Sequence, residues 1–157
     1  MKRTLYLASM FVGMIAVTSG FLALMAFFEV GWLSDHVYPI AGMKMPEWLD
    51  NFKWWATAGI VAAGLVSLVW YALSVFMFKF NYWKQNFLVW WTLMLFIAVL
   101  PLSVLGYLLT KQTNAGAGWA YFFYVANSLL VYYLATLLFS PPSVMYTPLG
   151  AKYVRRW

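Results

Sequence analysis

Apolar positions in this chain fall in long unbroken runs, without the strict alternation that marks a half-buried strand. Four runs stand out, at residues 5–28, 54–78, 87–109 and 119–139, and none contains Asp, Glu, Lys, Arg or His. A helix needs about 20 residues to cross a hydrocarbon core of about 30 Å, and each run reaches that length. Open strands would leave backbone N–H and C=O groups unpaired in lipid, so each run predicts a transmembrane helix. The expected fold is an all-α integral membrane protein, a four-helix transmembrane bundle forming a single membrane domain over residues 1–157.

The first run also has features of a signal peptide: Lys2 and Arg3 precede it, and "AVTSG" resembles a cleavage site. It continues through "FLALMAFF", past the length of a signal h-region, so a retained helix is expected.

Between the runs, polar positions define an outer loop at 29–53, an inner loop at 79–86, an outer loop at 110–118 and a tail at 140–157. With the N-terminus inside, Lys2, Arg3, Lys79, Lys84, Lys152, Arg155 and Arg156 are cytoplasmic, and Lys44, Lys53 and Lys111 are outside. This bias predicts a multi-pass protein of the cell membrane, an inner membrane in a bacterium, with both termini cytoplasmic. Trp54, Trp55, Tyr107 and Trp119 near one boundary and Tyr82, Trp83 and Trp90 near the other suit interfacial anchors.

Composition agrees: 65% of residues are hydrophobic, 22% aromatic and only 9% charged, against about 25% charged in soluble domains. Ten basic residues against four acids raise the question of nucleic acid, but they are scattered at the ends of apolar runs. We therefore expect no nucleic-acid partner. The chain has no cysteine and one histidine, which excludes disulfides, thiolate metal sites and bis-histidine haem. No cofactor is expected.

All four acids, Glu29, Asp35, Glu47 and Asp50, lie in the first outer loop with His36. His36 beside Asp35 could ligate a metal or act as a base, yet the spacing fits no metal motif and no nucleophile is identifiable nearby. A hydrated cap explains more of the residues. Pro46, Glu47 and Asp50 suit the opening turns of a helix. Trp48, Leu49, Phe52 and Trp55 share one side, predicting a short interfacial helix before the second span whose apolar face rests on lipid or docks a partner.

Inside the spans, Ser9, Gly13, Ala16, Gly20 and Ala23 draw one stripe of small residues, and Gly59, Ala63 and Ser67 draw another. Such stripes let helix backbones approach closely, so the first two helices are expected to pack together or against a partner. Asn127 is the most polar residue deep in a span, and its amide should bond across the bundle, with Tyr124, Ser128 and Ser103 as candidate partners. Pro101 should kink the third helix. Pro141, Pro142 and Pro148 stop the fourth helix and predict an extended tail, whose end (Arg155, Arg156, Trp157) suits anionic headgroups or a partner.

Coupled transporters and voltage sensors generally work through intramembrane charges, and none is expected here. The reading that follows is a non-catalytic membrane subunit, more a structural component than an enzyme, that assembles with or stabilises a larger complex of integral membrane proteins in the bilayer. A homo-oligomeric pore lined by Asn127, Ser103 and the Pro101 kink, and a small lipid- or quinone-interacting enzyme using His36, are the alternatives.

Overall fold

The computed structural model describes residues 2–37, 44–76, 87–110, 116–141, 144 and 147–154. All regular structure among them is helical. Helix α1 (Lys2–Leu24) passes through a π-helical turn (Met25–Glu29) directly into α2 (Val30–His36). Helix α3 covers Met45–Phe76, α4 Phe87–Thr110, α5 Ala117–Phe139 and the short α6 Ala151–Val154. Four helical segments are long and apolar enough to cross a membrane: Thr4–His36, Met45–Phe76, Phe87–Leu109 and Ala117–Phe139.

Two boundaries differ from the sequence expectation. The first helical run continues beyond residue 28 to His36, and α3 already begins at Met45. The expected interfacial helix is therefore the opening turns of α3 itself. Segments of 33 and 32 residues extend roughly 50 Å, so they tilt or project beyond a core of about 30 Å.

Helices α3 and α5 form the centre, with α1 packed on both and α4 packed on both. The Gly59, Ala63, Ser67 stripe of α3 is buried, and a Cβ at Gly59 would lie 3.0 Å from Ser128 Oγ of α5. This stripe thus serves α5 at that level. Helix α1 approaches α3 five residues beyond Gly59, where a Cβ at Gly64 would crowd the Thr18 side chain.

The stripe on α1 mostly faces away from the bundle. Ser9, Ala16, Gly20 and Ala23 are exposed, while Met10, Met14 and Met25 point inward. Unbranched, flexible Met side chains fill irregular space well, and they take the core-facing side. Gly13 is the exception, since a Cβ there would run into the Phe139 ring. The two stripes therefore do not pack against each other within the chain.

At the end of the bundle that carries the tail, buried indole and hydroxyl groups bond to one another. Trp70 Nε1 donates to Ser140 Oγ at 3.2 Å, Trp91 Nε1 to Thr136 Oγ1 at 2.9 Å, and Tyr132 OH to the Trp91 carbonyl at 3.2 Å. The tail is tucked in: Val144, Pro148 and Ala151 are buried, and Tyr133 OH donates to the Leu149 carbonyl at 2.7 Å. Pro141 and Pro148 still end the helix, but the chain turns back onto α5 and re-forms a helical turn in place of an extended strand. Arg155, Arg156 and Trp157 lie outside the described residues, as do Pro142 and the inner loop 79–86.

Candidate functional site

The π-helical turn decides which way Glu29 faces. Met25, Glu29, Leu33 and Val37 follow at intervals of four and all are buried. In a regular α-helix, twelve residues at about 100° each would leave Val37 roughly 120° away from Met25. A π-turn absorbs one extra residue, which brings the offset down to roughly 20°. The Val30 N–H bonding back to the Met25 carbonyl marks that insertion. Its result is a continuous inward line in which a carboxyl side chain takes a core position.

Glu29 is 2% exposed. Asn127 of α5, itself buried, donates from Nδ2 to Glu29 Oε2 at 2.8 Å. Glu29 was expected among hydrated acids of an outer loop; it lies instead inside the bundle, bonded to the most polar residue of the fourth span. The partner of Asn127 is this carboxyl. The expectation of a bundle without intramembrane acids is corrected accordingly.

Helix register places further polar groups at the same height. A Cβ at Gly106 of α4 would meet both the Tyr124 ring at 3.1 Å and Trp55 Cβ at 3.3 Å, which aligns α3, α4 and α5 at one level. Ser103 lies three residues back along α4, whereas Gly59 and Ser128 lie four residues on along α3 and α5. Because α4 runs opposite to the other two, all three steps, about 4.5–6 Å, lead the same way. Ser128 and Ser103 therefore lie at about the height of Asn127, Ser128 toward Gly59 of α3 and Ser103 on α4. The hydroxyls of both serines are buried and have no hydrogen-bond partner among the described residues.

Above this layer, toward the end carrying His36, an aromatic plug closes the bundle. Trp48 stacks on Phe52 at 6.2 Å, Phe52 stacks on Tyr124 at 5.5 Å, and Phe123 meets Phe52 edge-on at 6.2 Å. Trp48 and Phe52 are wholly buried, with Leu49 packed partly against them. These residues, expected to rest on lipid or a partner, are core. The reason is the early start of α3, which carries their side against α5 before the helix leaves the bundle.

His36 is exposed and spoken for: its ring stacks on Trp32 at 4.3 Å, and its Nδ1 lies 2.8 Å from the Trp32 carbonyl. No three acids or histidines come together among the described residues. Asp50 pairs with Lys53 on the surface at 3.1 Å. Val37 packs over Gly116, where a side chain would collide and where φ is +69°. Only glycine fits that closure without strain.

Pro101 sits exposed in α4, two residues from Ser103. Comparison with protein-family models, with curated proteins and with solved structures finds no match.

The sequence carried a signal for Glu29 in the apolar residues on both sides of it, "MAFFEVGWL". A lone acid with Trp32 and Leu33 following is a helix continuing, whereas a loop would turn polar.

Proposed function

We propose that this chain is a membrane subunit that binds another integral membrane protein through the outward face of α1. The supporting observation is that Ser9, Ala16, Gly20 and Ala23 form an exposed small-residue face, and among the described residues nothing beyond the local helix backbone lies within 4 Å of a Cβ placed at Gly20. Beside it, Ile15, Thr18 and Ser19 of α1 and Val61, Gly64, Leu65 and Leu68 of α3 line an open groove of about 170 Å³. A flat strip of small side chains next to a groove suits ridges of a second helix.

Large side chains, Trp48, Phe52, Tyr124, Trp70 and Tyr132, fill the centre of the bundle. That speaks for docking over conduction through one chain. The membrane in question is read as the cell membrane, with both termini on the cytoplasmic side by the distribution of Lys and Arg.

The experiment is tagged purification in mild detergent followed by mass spectrometry, comparing the native chain with Gly20→Leu and Ala16→Leu. A stoichiometric membrane partner that is lost from both variants, while their thermal midpoints stay native, supports the proposal. A native chain that runs as a lone monomer refutes it.

A further inference from the structure

We infer that Glu29 holds one exchangeable positive charge, a proton or an alkali-metal ion, in the layer it shares with Asn127. The first ground is charge balance. A carboxyl that is 2% exposed in a bilayer-spanning bundle is not left as a bare anion, because desolvating an unpaired charge costs many kcal/mol more than any one neutral hydrogen bond returns. Its donor is the neutral carboxamide of Asn127. Lys53 is tied to Asp50 on the surface, and His36 is stacked on Trp32 two turns away. On α3 and α5, the elements packed against this stretch, the titratable side chains at the level of the layer come down to Tyr124, which carries no positive charge.

The second ground is the donor chemistry. The groups that meet there are oxygen and carboxamide donors, the Glu29 carboxyl and the side chain of Asn127. Such hard oxygen donors favour a proton or alkali ion over soft metals. A single carboxyl matches a single charge, since a divalent ion would leave a net positive charge in the apolar interior. The third ground is placement: the π-turn re-aims the helix so that this acid points inward, and π-turns recur at functional positions. The inference is independent of what docks on α1.

The test uses the full chain in detergent or nanodiscs and follows thermal unfolding by tryptophan fluorescence. One arm exchanges sodium chloride for N-methylglucamine chloride at fixed pH and ionic strength; the other varies pH from 5 to 9 without sodium. The native chain is expected to shift its midpoint by roughly 5 °C or more in one arm, and Glu29→Gln, which keeps the shape and a hydrogen bond, is expected to shift in neither. A sodium response identifies an alkali ion; a pH response alone identifies a proton. Equal responses in Glu29→Gln, or no response in the native chain, overturn the inference. If Glu29→Gln does not fold, unfolding the native chain in sodium dodecyl sulfate and measuring released protons and sodium ions replaces it: one cation per chain supports the site, and none overturns it.

Discussion

Replacing Phe52 by Ala tests whether the opening of α3 is core or membrane surface. Phe52 is 0% exposed and contacts Trp48, Phe123 and Tyr124 through ring pairs of 5.5–6.2 Å. Phe→Ala in a water-soluble core costs about 3–5 kcal/mol. In a membrane bundle much of the water-transfer part is absent, because lipid is as apolar as the core. The packing part stays, and three aromatic pairs at about 0.5–1.5 kcal/mol each come to about 1.5–4.5 kcal/mol. At about 2–4 °C per kcal/mol for a chain of this size, the apparent midpoint should fall by roughly 3–18 °C. The assay is thermal unfolding in mild detergent, with Trp54→Ala as control, since Trp54 lies on the same helix but is 69% exposed and should move the midpoint little. If Phe52→Ala and Trp54→Ala melt together at the native midpoint, Phe52 rests on lipid and the aromatic plug is wrong.

Asn127→Leu strips Glu29 of its donor and should destabilise by about 1–3 kcal/mol, more than the roughly 0.6 kcal/mol average for an interhelical bond in a membrane, because a buried acceptor is left unmade; Glu29→Gln/Asn127→Leu double-mutant analysis in detergent checks the coupling. Gly64→Leu should separate α1 from α3 and lower the midpoint, whereas Gly20→Leu should leave it unchanged, since Thr18 crowds the first position and nothing lies near the second. Gly116→Val should cost at least about 1–2 kcal/mol from the left-handed backbone alone, with the collision against Val37 added; a native midpoint would refute that closure. Tyr133→Phe removes the bond to the Leu149 carbonyl and should make the tail faster to cleave in limited proteolysis, with little change in the melting of the bundle.

Much of the architecture could be read from the order of residues. Spans three and four begin and end within a residue or two of where the apolar runs place them, because in lipid a run of that length has one way to satisfy its backbone. The ends of the first two spans were less legible. Glu29 and Asp35 look like loop residues under a rule that charges mark connections, yet a helix propagates through an isolated charge as long as its other faces stay apolar and its backbone bonds stay closed. The small-residue stripes were visible, but spacing along one helix does not name the neighbour. Gly59 turned out to serve α5, and Gly20 meets no other helix among the described residues.

The sequence by itself determined that the chain is helical, spans a bilayer four times and needs a partner for Asn127, since each follows from the cost of bare polar groups in hydrocarbon. Only the tertiary structure decided that the partner is Glu29, that Trp48 and Phe52 are core, and that the tail folds back. The first depends on the π-turn, whose single inserted residue leaves the apolar pattern almost unchanged while turning everything beyond it by about 100°; the other two depend on which helix each apolar face meets, which spacing along one segment does not specify.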